Sequence, residues 1–184
     1  MTTEEEMPEV FPTPQNSQII DVLVTFDAYT IVKNYPASTN PDRPTGISSS
    51  LIYMTTRQDR IIGYPGAELN LKANPLDVIR WRESTLSLNT EYSALLYRFV
   101  PKSGEELISP PGPLVAEVVV PYPMRKPPEY SFETQDIKGH HWGTTALATG
   151  TVVYEFYFQL IDGSGKRIGY YRWDPRITIV KRGQ

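Results

Sequence analysis

The chain has 184 residues, 40% hydrophobic and 21% charged, with a net charge of −3 and no cysteine. That length suits one well-buried domain, and that composition is globular; the mild acidity argues against a nucleic-acid surface, which needs clustered Lys and Arg. Without cysteine there is no disulfide framework, thiolate nucleophile or Cys-ligated metal, and the chain fits a reducing compartment.

Residues 1–17 are polar, open on Glu4-Glu5-Glu6 and are interrupted by Pro8, Pro12 and Pro14. They read as a flexible N-terminal arm with no secretory signal, ahead of a single domain over 18–184. From Gln18 the pattern changes: Ile20, Val22, Val24 and Phe26 alternate with Asp21, Thr25 and Asp27, which predicts a strand buried on one side. Asp27 sits where an N-cap belongs, before Ala28–Tyr35, and Pro36 limits that helix to a turn or two. A polar loop over 37–50 follows. Short strands are then expected at 51–56, 67–72, 77–82, 93–99, 114–120 and 129–133, with the strongest at Thr151–Leu160. Asp162-Gly163-Ser164-Gly165 is a hairpin signal leading into 166–173, and Asp174-Pro175 is expected to turn the chain before a last strand at 177–180. The proline-rich stretches 109–113 and 121–128 read as rigid connections or blunted sheet edges.

Seventeen prolines and twelve glycines rule out long helices, so the expectation is an all-β, antiparallel β-sandwich of the jelly-roll or immunoglobulin-like type. No apolar run approaches the roughly 20 residues of a membrane helix.

The residues point away from catalysis. The two histidines, His140 and His141, are adjacent, so in a strand they face opposite ways and share no metal. The segment around them, 138–143, reads as a loop tip. No nucleophile elbow, phosphate loop or HExxH motif is present. In Arg80-Trp81-Arg82, Trp81 suits the core and the arginines suit pairs with Asp77 or Glu83; the alternative is a guanidinium fork offered to a ligand's oxygens. In Gly169–Pro175, packed tyrosines compete with a sugar site, in which aromatic rings stack on a pyranose while Asp and Asn take its hydroxyls, directly or through Ca²⁺. The loop at 40–46 and the hairpin at 162–164 offer further oxygens. The candidate ligand-binding residues are Asn40, Asp42, Thr45, Arg80, Arg82, His141, Trp142, Trp173 and Asp174, with Ca²⁺ the candidate cofactor.

An ordered set of segments resembles the AidA/PixA family, the inclusion body proteins of Gram-negative bacteria. The segments are Ile19–Val24, Asn34-Tyr35-Pro36, Pro44–Ser48, Leu69–Ala73, Val78–Arg82, Leu86-Ser87 and Gly169–Thr178. The resemblance implies a cytoplasmic β-sandwich, a homodimer, accumulation in inclusions under growth-phase or quorum control, and a lectin activity towards glycans. It supplies no catalytic residues. Two departures stand out: only four methionines are present, and Asn74-Pro75-Leu76-Asp77 stands where Gly-Asp is expected before the strand at Val78. The combined expectation is a non-enzymatic, carbohydrate-binding protein without nucleic-acid or membrane partners. Ordered self-assembly into inclusions is the alternative function.

Overall fold

The computed structural model describes residues 17–63, 69–124 and 131–181. Among these, strands run at β1 Ile19–Phe26, β2 Thr45–Gly46, β3 Ile52–Thr55, β4 Ile61–Ile62, β5 Asn70–Ala73, β6 Val78–Thr85, β7 Tyr92–Ser103, β8 Gly112–Pro123, β9 Phe132–Thr145, β10 Gly150–Asp162, β11 Arg167–Trp173 and β12 Arg176–Ile179. One α-helix, α1, spans Ala28–Asn34. The expected N-terminal arm lies outside the described residues except for Ser17, as do Ala67 and Glu68 of the expected strand at 67–72.

Local chemistry accounts for the early elements. In β1 the branched residues Ile20, Val22 and Val24, with Phe26, are all buried, and the intervening side chains face out. The Asp27 carboxylate accepts the Thr30 N–H at 3.1 Å and starts α1; Tyr35 is extended, as the residue before a proline prefers.

Two sheets face each other. One has the order β3-β1-β6-β9-β8. In the other, β10 carries β7 along one edge and β11 and β12 in succession along the other; β2 extends β11, and β5 and β4 extend β12. The all-β expectation holds, but the sheets are mixed rather than antiparallel. The pairs β1–β6, β2–β11 and β5–β12 are parallel. A side-chain period of two is the same in both pairing senses, so alternation could not distinguish them, and the 51 residues between β1 and β6 leave ample room for a crossover.

The core lies between the sheets and is aromatic. Phe26 stacks on Phe158 at 4.2 Å between ring centres, and Trp81 meets Phe156 edge-on at 5.4 Å. Trp173 stacks on Phe156 and presents its edge to Phe26, joining the two layers. These residues are at most 2% exposed.

A buried polar clasp holds the end of the sandwich where β1 and β6 begin. Arg60 Nη1 lies 3.0 Å from Asp77 Oδ2, both side chains being nearly inaccessible. Asp77 also accepts the backbone N–H groups of Gln18 and Asn74, each at 3.0 Å, and Asn74 donates its side-chain amide to the Val180 carbonyl at 2.9 Å. Between Asn74 and Asp77 runs a tight turn closed by the Asp77 N–H on the Asn74 carbonyl at 3.0 Å. Its third residue, Leu76, has φ of 76°, the left-handed conformation that glycine adopts freely. The turn thus holds a leucine in a conformation strained for an L side chain.

Two further expectations are corrected. Asp174-Pro175 does not reverse the chain: Trp173 lies opposite Phe156 and Arg176 opposite Val153, so β11 and β12 form one path along β10 with a jog between them. His140 and His141 are not at a loop tip but inside β9. The flanking glycines suggested a turn. Gly139 instead marks a close approach, since a Cβ there would lie 2.7 Å from Val118 Cγ2.

β8 and β9 run far beyond the body. From Pro113 to Pro123 every β8 residue except Val120 is exposed, and from Phe132 to Lys138 every β9 residue except Ile137. The two form a projecting ribbon with regular pairing from Gly112↔Gly143 to Pro123↔Phe132.

Candidate functional site

The predicted site residues fall into two groups on opposite outer faces, with the tryptophans between them. Trp142 is 6% exposed and Trp173 2% exposed, both in the core, so neither offers a ring face to a ligand. Asp174 is exposed at the β11–β12 jog. It lies on a different sheet from His141, so the two do not form an acid–base pair.

Arg80, Arg82 and His141 come together where the first sheet forks. β6 and β9 pair up to Trp81↔Trp142 and then part, β9 continuing only beside β8. A recess of about 380 Å³ opens there, lined by Asp21, Leu23, Arg80, Arg82, His140 and His141 among others. Arg80 does not pair with Asp77 or Glu83. It is held by its neighbour across the parallel pair, Asp21, through contacts of 2.6 and 2.9 Å, while Arg60 takes Asp77. Arg82 points outward and forms no ion pair among the described residues. Burial, reinforced by the Arg80 and Arg82 charges, pushes the His141 pKa below its ordinary value. His140 faces the other side of the sheet, 2.5 Å from buried Glu83. The two rings therefore point apart, and no exposed aromatic ring lines this recess.

Asn40, Asp42 and Thr45 belong to a strap over the second sheet. Residues 36–46 follow the edge of β11 at both ends and reach over the sheet towards β7 between them, pinned along their length. The Tyr170 N–H donates to the Ser38 carbonyl at 2.9 Å, and Thr45 and Gly46 pair with Tyr171 and Arg172. The Asn40 side chain accepts the Asp42 N–H at 2.9 Å, and Thr45 Oγ1 donates to the Pro36 carbonyl at 2.7 Å. Both therefore shape the strap. Tyr97 Oη donates to the Pro41 carbonyl at 2.8 Å; burial pushes its pKa up to about 12, so it remains a donor through the neutral range. Gly169 makes the approach possible, because a Cβ there would lie 2.7 Å from the Ala37 Cβ.

Beside this strap is a second recess, also of about 380 Å³, lined by Asp42, Arg43, Pro44, Lys102, Glu155, Tyr157 and Arg172. Glu155 is buried at its base between two cations: Arg172 bonds one carboxylate oxygen, and Lys102 Nζ lies 2.9 Å from the other. Asp42 is fixed by Arg98 at 2.8 Å, and the Arg98 guanidinium lies 5.7 Å from the Tyr157 ring centre. The Arg43 side chain forms no ion pair among the described residues. Tyr157 is half-buried, edge-on to Tyr97. The lining thus combines three cationic groups, two carboxylates and one aromatic ring.

Sequence reasoning found Asp42 but missed Lys102, Glu155, Tyr157 and Arg172. Glu155 and Tyr157 occupy the outward positions of β10, and a glutamate between Tyr154 and Phe156 in an apolar strand was the legible signal. The Ca²⁺ expectation fits neither recess: each carboxylate is already engaged by a cationic side chain, and no cluster of three or more His, Asp or Glu suited to a metal exists among the described residues. At the 162–165 hairpin, Asp162 Oδ1 accepts from Ser164 and Lys166; the Ser164 hydroxyl leads in holding its carboxyl below the usual range. That carboxylate oxygen serves its own turn.

No helix among the described residues is long and apolar enough to cross a membrane. No curated protein sequence matches the chain. A crystal structure of an inclusion body protein of the PixA family from Burkholderia cenocepacia J2315 superposes with a TM-score of 0.76 at 21% identity, covering 89% of this chain and 97% of that one. The sequence model of the PixA family, described as inclusion body protein, matches residues 18–179. The chain belongs to the PixA family of inclusion body proteins.

Proposed function

We propose that this chain is a carbohydrate-binding member of its family, acting without a metal and without catalysis, through the recess beside the 36–46 strap. One juxtaposition carries the reading: the half-buried Tyr157 ring lies among Asp42, Arg43, Lys102, Glu155 and Arg172 in a recess of about 380 Å³. A ring face suits the apolar side of a pyranose, and the fixed carboxylates and guanidinium groups suit its hydroxyls. Cations outnumber carboxylates in the lining, and Arg43 forms no ion pair among the described residues. That balance favours sugars carrying a carboxylate or sulfate.

The test is a glycan array on the folded full chain, with and without a chelator. The expected result is a coherent class of acidic glycans, bound equally in both conditions and lost in Asp42→Ala and Tyr157→Ala. No binding by folded protein in either condition contradicts the proposal. Loss with chelator contradicts its metal-free part.

Ordered self-assembly into inclusions is the second reading, favoured by the family's description. It predicts reversible, concentration-dependent assembly in the absence of any sugar.

A further inference from the structure

Arg80, Arg82 and His141 have no role in the carbohydrate reading, yet the fold gathers more positive charge around them than it balances. The parallel register sets Asp21 beside Arg80 but Leu23 beside Arg82. Arg80 is thus neutralised and held, while Arg82 is exposed and forms no ion pair among the described residues. His141 faces the same outer side: Trp81 and Trp142 lie opposite each other in the core, and residues 82 and 141 are each one step beyond them. The recess of about 380 Å³ that these side chains line is large enough for a small ligand.

The donors left over suit an oxyanion. Asp21 takes one fork of the Arg80 guanidinium, with Nε 2.6 Å from Oδ1 and Nη2 2.9 Å from Oδ2. That pairing fixes the group in place and leaves both Nη1 N–H groups outside it. The Arg82 guanidinium brings a second, unpaired fork, and the neutral His141 ring brings one N–H. The backbone adds another donor. Val78 and Leu86 give their N–H groups to the Gln18 and Phe26 carbonyls, so even-numbered residues of β6 bond towards β1 and odd-numbered ones towards β9. β9 pairs with β6 only as far as Trp81, so the Glu83 N–H points into the fork with no strand beside it among the described residues.

We infer that the β6–β9 fork binds phosphate, free or as the end group of a small monoester. A tetrahedral dianion presents oxygens in several directions and meets Arg80, Arg82 and His141 at once. A planar carboxylate fills a single guanidinium fork, as Asp21 already does at Arg80. Leu23, 43% exposed, gives the organic part of an ester an apolar wall. His141 reports occupancy. The charged and titratable groups facing it are Arg80 and Arg82 from β6, Asp21 from β1 and its neighbour His140, and burial with the two guanidinium charges holds its pKa low in the free protein. A bound dianion favours the protonated ring, so binding raises that pKa. By linkage, affinity for an anion of constant charge such as sulfate is greatest below the free pKa and declines as the pH rises through the bound one.

An NMR titration of the full chain, in buffer free of phosphate and sulfate, tests the site with inorganic phosphate and phenyl phosphate. Saturable shifts are expected at residues 21–23, 80–83 and 140–141, with a dissociation constant of about 1 mM or tighter. Equal affinity for the two probes assigns binding to the phosphate group alone, and tighter binding of the ester adds the Leu23 wall; both support the inference. Arg82→Gln removes an exposed charge without touching the core and should weaken binding about tenfold. Arg176→Gln removes the same charge from an exposed position on β12, in the other sheet, and should bind as the parent does. A measurement on the unaltered chain stands beside the variants: saturating sulfate should raise the His141 midpoint. Shifts that fail to saturate by about 20 mM, an Arg82→Gln chain that binds like the parent, equal weakening by Arg176→Gln, or a His141 midpoint unmoved by sulfate would overturn the inference.

Discussion

The body and the ribbon of this molecule are made of the same kind of hairpin, yet they are stabilised differently. In the body, β10 pairs with β7 on one edge and with β11 and β12 on the other, and its inward face carries Tyr154, Phe156, Phe158 and Leu160, each at most 1% exposed. In the ribbon, β8 pairs among the described residues with β9 alone, and Val115, Val119 and Phe132 are exposed. Backbone pairing is present in both regions, but burial is present in only one. Since a hydrogen bond exchanges protein for water at small net gain, burial decides where stability resides.

The contrast can be broken most severely at the polar clasp. Asp77→Ala should cost roughly 3–5 kcal/mol, because it removes the buried counter-ion of Arg60, leaving the exposed Asp59 to balance it, and strands the Gln18 and Asn74 N–H groups. Denaturant unfolding followed by fluorescence would show it, and a loss below about 1 kcal/mol would mean that the clasp behaves as a surface pair. A matched pair of phenylalanines sharpens the comparison. Phe156→Ala should cost about 3–5 kcal/mol, whereas Phe132→Ala at the ribbon tip should change monomer unfolding by less than about 0.5 kcal/mol. Equal effects would show that the ribbon is part of the core's cooperative unit.

Smaller effects probe single conformations. Leu76→Gly relieves a left-handed leucine at some cost in chain entropy, so a net stabilisation of about 0.5–1 kcal/mol is expected from thermal or denaturant midpoints. Least in size is the titration of His141. Its folded pKa lies below the ordinary 6.5, so the neutral ring is the form the fold prefers. The linked stability is present above about pH 6.5 and falls as the pH drops below it, where the unfolded state binds the proton first. NMR titration should give a His141 midpoint below 6.5, and a midpoint above it would contradict the placement beside Arg80 and Arg82.

What the sequence disclosed follows the same division. Periodicity found β1, β10 and β11 nearly to the residue, because alternate burial leaves a period of two in the side chains. The Asp27 cap and the Asp162 hairpin were legible because their hydrogen bonds are local. The far part of β9 was not: from Phe132 to Lys138 nothing alternates, since neither face meets a core. Glycines at 139 and 143 then gave the false signature of a loop around His140 and His141. Parallel pairing was hidden for a different reason, as it depends on which distant strands meet.

The candidate site was legible only on its strap. Asp42 stood in a polar loop, where a carboxylate invites a functional reading. Glu155, Tyr157 and Arg172 lie on the outer face of a strong strand pair, and their convergence with Lys102 depends on the register between β7, β10 and β11. Trp142 and Trp173 show the opposite error. Aromatic character suggested a sugar platform, but both rings close the core.

The most direct test of the carbohydrate reading is an amide chemical-shift titration of the full chain with an acidic saccharide. The account predicts saturable shifts concentrated in residues 36–46 and at Lys102, Glu155, Tyr157 and Arg172, unchanged by chelator. Shifts centred on Arg80, Arg82 and His141, or none at all, would contradict it.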